Sequence, residues 1–194
     1  MKTVLFLTLV FLISCIESIQ NTNVLKKQGI VETTNSFGSA VYLDNQYVVT
    51  ASHLLEDNKL KLSFEDGVDS INFIVFQHND ITLIKTHINF TCPPTIVATV
   101  KVNDEVYWLQ TLFFKKEIVR LWFKGNVAYV DDSTIVVDRP FYPGGSGSGL
   151  FNYNMELVGI VSRYQQYENG LSLGIAEIPK FPLFIQQKID GDLK

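Results

Sequence analysis

The stretch Tyr142-Pro143-Gly144-Gly145-Ser146-Gly147-Ser148-Gly149-Leu150-Phe151 decides how the rest of the chain is read. Four glycines and two serines fill the six positions from 144 to 149, between the apolar runs Thr134–Val137 and Leu157–Val161. Such a composition fits two different objects. One is a flexible Gly/Ser loop, because glycine clusters mark turns. The other is a nucleophile on a tight turn. Glycine lacks a Cβ and accepts φ > 0, so successive N–H groups can converge on one point. Converged donors beside a serine hydroxyl make an oxyanion hole. A serine in that role needs a base, and the base needs an orienting group. The remaining sequence must supply them.

On both sides of this stretch the pattern is β. Ser39–Leu43 and Tyr47–Thr50 flank Asp44-Asn45-Gln46 as a hairpin, and Ala51–Leu55 suits a single helical turn. Lys59–Phe64 alternates before an Asp66-Gly67 turn. Ile71–Phe76 and Ile81–Lys85 are separated by Gln77-His78-Asn79-Asp80. Pro93-Pro94 excludes regular structure and marks a crossing between two lobes. Glu105–Leu109, Ile118–Phe123, Asn126–Val130, Thr134–Val137, Leu157–Val161 and Leu171–Ile175 follow as short strands, with Gly125, Asp131-Asp132 and Asn169-Gly170 as turns. Only Lys180–Ile189 has helical length and spacing. Many short strands with little helix predict an all-β sandwich or barrel.

The 194 residues are 46% hydrophobic, enough for a real core in one or two small lobes. The net charge is −4 with no Lys/Arg block, which excludes nucleic-acid binding by a basic patch. Lys2 precedes an apolar run from Val4 to Leu12 and on to Ile16. That run is shorter than the roughly 18–20 residues that span a bilayer, and it reads as a secretory signal peptide. An uncleaved anchor is the other reading. Leu12-Ile13-Ser14-Cys15 resembles a bacterial lipobox, with Cys15 as the lipidated residue; an ordinary leader that contains a cysteine stands beside it. Cys92 is then the one thiol left, so the folded part has no internal disulfide. No His/Cys cluster has metal-ligand spacing, and neither metal nor cofactor is expected.

The three histidines, His53, His78 and His87, all precede Ser146. An α/β-hydrolase places its histidine last and needs Gly-x-Ser-x-Gly, which neither Ser146 nor Ser148 satisfies. The order His, Asp, Ser is that of the chymotrypsin arrangement. Tyr47-Val48-Val49-Thr50-Ala51-Ser52-His53 resembles the Thr-Ala-Ala-His motif of that superfamily. His78-Asn79-Asp80-Ile81-Thr82-Leu83-Ile84-Lys85 resembles its acid motif, and Pro143–Phe151 resembles its Gly-x-Ser-Gly-x-Pro loop. Any one of the three is weak; three in order on a β background are specific. Val102–Val106, Lys124–Val127, Glu156–Ser162 and Gly174–Pro179 are similar to second-barrel strands of the compact bacterial Deg-type and glutamyl-endopeptidase-like branches. The resemblance covers about Ser36 to Pro182.

The resemblance implies two six-stranded antiparallel β-barrels with a short C-terminal helix. The expected organisation is a signal peptide over 1–15, a tether over 16–28 and a protease domain over 29–194. Within it, barrel 1 runs to about 94, barrel 2 over about 95–179 and the helix over about 180–190. The implied activity is that of an exported serine endopeptidase, secreted or lipid-anchored at the cell envelope, acting on protein or peptide substrates. A silent, surface-anchored binding module on the same fold is the alternative. The implied catalytic residues are Ser146 as nucleophile, His53 as base and acid, and Asp80 as the group that fixes the His53 tautomer. The N–H groups of Gly144 and Ser146 are the implied oxyanion hole. Ser162 matches the family serine that contacts the triad acid, and Ser162, Arg163 and Tyr164 are the implied substrate-binding segment. His78 and Ser148 stand as rival base and rival nucleophile.

The chain also departs from the family. Gly149 stands where proline is usual, which predicts a looser loop. Gly145 replaces the Asp that pairs with a new N-terminus in trypsin-like zymogens, and Gly29-Ile30-Val31-Glu32 does not match the Ile-Val-Gly-Gly start. No trypsin-style activation is therefore expected. Glutamate-specific relatives use a late pocket histidine, and none follows His87. The segments Arg139–Tyr142, Ser162–Tyr164 and Leu173–Glu177 are expected to border the S1 pocket, with a small or apolar P1 residue.

Overall fold

Alternating apolar positions and turn residues build two β units in series. The computed structural model describes residues 24–34, 36–56, 60–71, 74–115 and 117–181, without the side chains of 113 and 114. The first unit holds β1 (Gln28–Glu32), β2 (Phe37–Asp44), β3 (Tyr47–Ala51), β4 (Lys61–Phe64), β5 (Gly67–Ser70), β6 (Ile74–His78) and β7 (Ile81–Lys85). They form one antiparallel sheet in the order β5-β4-β1-β2-β3-β7-β6. The second unit holds β8 (Glu105–Phe114), β9 (Glu117–Val130), β10 (Thr134–Val137), β11 (Gly149–Phe151), β12 (Leu157–Gln166) and β13 (Ser172–Glu177). These close into a barrel in the order β10-β13-β12-β11-β8-β9.

The β2–β3 hairpin forms where the sequence places it. Asn45 and Gln46 both take positive φ, 46° and 67°, the twist that suits a tight hairpin. Asp44 Oδ1 accepts the Asn45 N–H at 2.8 Å. β3 is buried along its whole length because both of its faces are covered. Val48 and Ala51 pack with Leu62 and Ile84 inside the first unit. Tyr47 and Val49 pack with Leu83, Phe151, Leu157 and Ile160, so this cluster joins the sheet to the barrel. Each such side chain stabilises the fold by roughly 1.5–3 kcal/mol when fully buried. Trp108, Ile135, Val137, Leu150 and Val161 fill the barrel itself.

Three expectations need correction. Among the described residues the first unit has seven strands rather than six, and no pairing closes β5 onto β6. The added strand, β5, reads Gly-Val-Asp-Ser, and its single apolar residue, Val68, is 61% exposed, so it leaves no hydrophobic signature. Gly125 is not a turn. β9 runs straight through it as one 14-residue strand. A Cβ there would lie 2.7 Å from the Val137 side chain and 2.8 Å from Asp138 Oδ1, so glycine answers a close approach. Lys180 and Phe181, expected to open the C-terminal helix, are not helical, and the rest of that segment lies outside the described residues.

The signal segment, Cys15 and the tether up to residue 23 also lie outside the described residues. Residues 24–28, placed in the tether on sequence, are packed. Val24 and Gln28 are buried, and Arg120 of β9 donates to the carbonyls of Leu25 (3.5 Å) and Gln28 (3.1 Å).

Candidate active site

The β3 strand ends at Ala51 and the chain tightens into a 3-10 turn, Ser52–Leu55, which carries His53. Asp80 sits in the β6–β7 turn, after Asn79 in the left-handed region (φ 51°). Two backbone N–H groups tie these turns together. Ser52 N–H donates to the Asp80 carbonyl at 3.0 Å, and His53 N–H donates to Asp80 Oδ1 at 3.0 Å. The side-chain hydroxyls of Ser52 and Thr82 lock the same junction at 2.8 Å. The result is a clamp: His53 Nδ1 stands 2.8 Å from Asp80 Oδ2 and 3.0 Å from Oδ1.

Ser162 Oγ, arriving from β12 of the barrel, donates to Asp80 Oδ2 at 2.5 Å. The carboxylate is thus shared by both units. Burial pushes the Asp80 carboxyl up, but the hydrogen bonds from His53 Nδ1, Ser162 Oγ and His53 N–H outweigh it and hold the group below its usual range. The same bond to Asp80 raises His53; burial and Arg163 act against the rise, while the charges of Asp80 and Glu56 add to it. Both shifts favour a His⁺–carboxylate pair.

Ser146 lies in the turn between β10 and β11. Gly144 takes φ +88°, and a Cβ there would lie 2.1 Å from the Thr111 carbonyl, so only glycine fits. The turn is fastened on three sides. Ser39 N–H of β2 donates to the Ser146 carbonyl at 2.8 Å, Gly147 N–H donates to Val161 O at 2.8 Å, and Val161 N–H donates to Ser148 O at 2.8 Å. Among the described residues no group accepts from the N–H of Gly144 or of Ser146. Ser146 Oγ donates to the Ser162 carbonyl at 3.2 Å rather than to the His53 ring.

His53, Asp80 and Ser146 line one cleft of about 490 Å³, together with Phe141, Tyr142, Pro143, Val161, Ser162, Arg163 and Tyr164. Of the segments expected to border a substrate pocket, Ser162–Tyr164 and the Phe141-Tyr142 end of Arg139–Tyr142 line this cleft, whereas no residue of Leu173–Glu177 does. Phe141 is a buried apolar part of the lining, its ring lying over Gly174 where a Cβ would sit 2.8 Å from it. The rival residues stand elsewhere. Ser148 is fully buried and donates to Leu109 O at 3.0 Å. His78 is exposed at the end of β6, and His87 is exposed beside Asp69. Gly149 is not loose. It opens β11 opposite Ile160, and its N–H reaches Gln28 Oε1 at 3.4 Å, a bond proline cannot make.

Sequence reasoning missed Gln28, and it placed Glu177 at the S1 border without its pairing to Arg163. Gln28 Nε2 donates to Leu109 O at 2.5 Å behind the Ser146 turn, and Glu177 faces Arg163. A lone glutamine before an apolar strand gives no signal, and the Arg163–Glu177 pairing depends on strand register, which the sequence does not display.

The profile of the trypsin-like peptidase domain matches residues 38–160, well over half of the chain. The chain belongs to the trypsin-like peptidase domain family. Its enzyme class is serine-type endopeptidase. A search of curated protein sequences finds no significant match. Solved structures similar to this peptidase include a Glu endopeptidase in complex with MPD, at 14% identity and TM-score 0.70, covering 89% of this chain and 94% of that one. A serine endoprotease from Yersinia pestis is similar at 18% identity and TM-score 0.66, over 90% of this chain and 65% of that one. The HtrA-type protease AlgW with tripeptide is similar at 18% identity and TM-score 0.68, over 89% and 63%. At these identities the peptidase shares their fold.

Proposed function

We propose that this peptidase cleaves peptide bonds through an acyl-enzyme, with Ser146 as nucleophile, His53 as general base and acid, and Asp80 as the orienting carboxylate. The observation that carries the reading is the clamp of Asp80 on His53 Nδ1 at 2.8 Å, in the same cleft as Ser146. A carboxylate on Nδ1 keeps the proton there and leaves Nε2 free to accept. The Ser146 hydroxyl leaves the Ser162 carbonyl, gives its proton to Nε2 and attacks the substrate carbonyl. The N–H groups of Gly144 and Ser146 receive the oxyanion; losing one such donor typically costs roughly 3–4 kcal/mol. His53 then protonates the leaving amine, and water, deprotonated by His53, releases the acid. The apolar Phe141 ring in the cleft lining supports a small or apolar P1 side chain.

Export belongs to the same proposal: Lys2 and the apolar run after it would direct secretion, with Cys15 as the lipid attachment point. Mass spectrometry of the mature N-terminus tests this, and a start other than Cys15 rules out lipidation.

The silent binding module is favoured by one observation, the Ser146 hydroxyl turned to Ser162 O. Labelling with a serine-directed phosphonate separates the two. The peptidase reading expects stoichiometric labelling that Ser146→Ala and His53→Ala abolish, and a loss of turnover in Ser146→Ala of ~10⁶ in kcat. An unlabelled wild-type protein refutes it.

A further inference from the structure

The β12–β13 ladder breaks register beside the site. Ile160 pairs with Glu177 and Val161 with Ala176, but the next pair is Arg163 with Ile175. Ser162 is the extra residue of a bulge, a device that re-aims a side chain. Here it sends the Ser162 hydroxyl to Asp80 and offers the Ser162 carbonyl to Ser146. Arg163 and Glu177 face each other across this bulge, with Nη1 3.5 Å from Oε1. The same guanidinium nitrogen stands 3.4 Å from Ser162 Oγ. The Arg163 side chain is 59% exposed, but that of Glu177 is only 8% exposed. A carboxylate taken out of water is costly unless it is paired, and acyl transfer at Ser146 does not require one at this position.

We propose that Arg163 and Glu177 are positioning residues of the triad: Glu177 fixes the guanidinium across the bulge, and the pair sets the local charge beside the Ser162–Asp80–His53 chain. The proposal rests on the peptidase reading for its purpose but not for its test.

Arg163 acts on His53 directly, and Glu177 acts on it through Arg163. His53 is faced by Asp80 from the β6–β7 turn, Glu56 after the 3-10 turn and Arg163 from β12. Glu177 is faced by Arg163, Asp80 and Asp131. Burial raises the Glu177 carboxyl, Arg163 opposes the rise, and the Asp80 charge adds to it. Neutralising Arg163 removes a positive charge near the imidazolium and lets His53 titrate at higher pH. Neutralising Glu177 leaves Arg163 uncompensated, and His53 titrates at lower pH. A pair that only braced the bulge would give changes of one sense, because either substitution would loosen the same strand.

The test is NMR titration of the ¹⁵N-labelled imidazoles in a Ser146→Ala background, which needs no turnover and so stands even if the peptidase reading fails. The His53 signal is identified by its loss in His53→Ala. Arg163→Gln is expected to shift the His53 titration up, Glu177→Gln to shift it down, and Arg163→Lys to stay near the parent. In the protein with Ser146 intact, the acid limb of kcat/KM moves in the same directions. Shifts of one sense, or titrations of Arg163→Gln and Glu177→Gln that coincide with the parent, overturn the proposal. If Glu177→Gln does not fold, the arginine variants decide. Arg163→Gln coincident with the parent, or Arg163→Lys shifted as far as Arg163→Gln, overturns it.

Discussion

Replacing Asp80 by Asn tests the clamp most directly, because the backbone dictates which way the amide turns. His53 N–H donates to Oδ1 at 3.0 Å and cannot become an acceptor. The oxygen of the new amide must therefore take the Oδ1 position, and the NH₂ group falls where Oδ2 was. That place is 2.8 Å from His53 Nδ1 and 2.5 Å from Ser162 Oγ. Ser162 can accept from the amide, since a hydroxyl reverses its role. His53 Nδ1 lies nearer the NH₂ position, at 2.8 Å, than the amide oxygen at 3.0 Å that already accepts from His53 N–H, and it accepts from the NH₂ only with its proton moved to Nε2. The ring then presents a donor to Ser146 and cannot take its proton. In a triad of this geometry the wrong tautomer lowers kcat by about 10⁴-fold, or ~5 kcal/mol at roughly 1.4 kcal/mol per tenfold. The assay is kcat on a peptide selected from a library, with thermal unfolding to show that Asp80→Asn remains folded. Nitrogen NMR should show the proton on Nε2 in the variant and on Nδ1 in the parent. A folded Asp80→Asn enzyme within tenfold of wild type, or one keeping its proton on Nδ1, would show that the orientation argument is wrong.

The acid limb of kcat/KM should lie above 6.5, the ordinary histidine value, since the bond to Asp80 raises His53; a limb below that value contradicts the clamp. For stability, the raised His53 contributes below 6.5 and loses its contribution as pH rises through its folded value. The depressed Asp80 contributes above 3.8 and loses its contribution as pH falls through its folded value. Denaturation midpoints of wild type minus Asp80→Asn should therefore peak between those two pH values; a flat difference refutes the linkage. A chain beginning at Ile30 should lose activity, because it removes Val24 and the Gln28 side chain that bonds Leu109 and Gly149; a large gain would mean a zymogen-like switch after all. Ser148→Ala should keep wild-type kcat and lose about 1 kcal/mol of stability, since Gln28 Nε2 still satisfies Leu109 O; lost turnover there would move the nucleophile.

The parts of this fold that announce themselves in sequence are those where local chemistry has one solution. Asp44-Asn45-Gln46 can hardly do anything but turn, and Asn79-Asp80 ahead of Ile81–Lys85 places an acid at a strand entrance. Gly144 and Ser146 are legible because a turn crowded by the Thr111 carbonyl excludes a side chain. What stayed hidden depends on partners distant in the chain. Gln28 acquires its role only when β1 meets a carbonyl 81 positions later. Gly125 looks like a turn until Val137 and Asp138 are laid across it. β5 carries too little apolar surface to register, and the Ser162 bulge is a property of pairing, which no single strand contains.

One apolar cluster gives the site its mechanical character. In the proposed triad His53 and Asp80 belong to the sheet, Ser146 belongs to the barrel, and Val49, Leu83, Phe151 and Ile160 form much of the seam between them. The hydrocarbon thickness of that seam sets the spacing of the proposed triad. A methylene added or removed there alters the gap between two reacting atoms, and about 1 Å of misplacement can cost 10²-fold in rate. Variants of buried residues that touch no substrate should then look, in a kinetic assay, like lesions of the machinery itself, and neither half can lose its packing while the other goes on working.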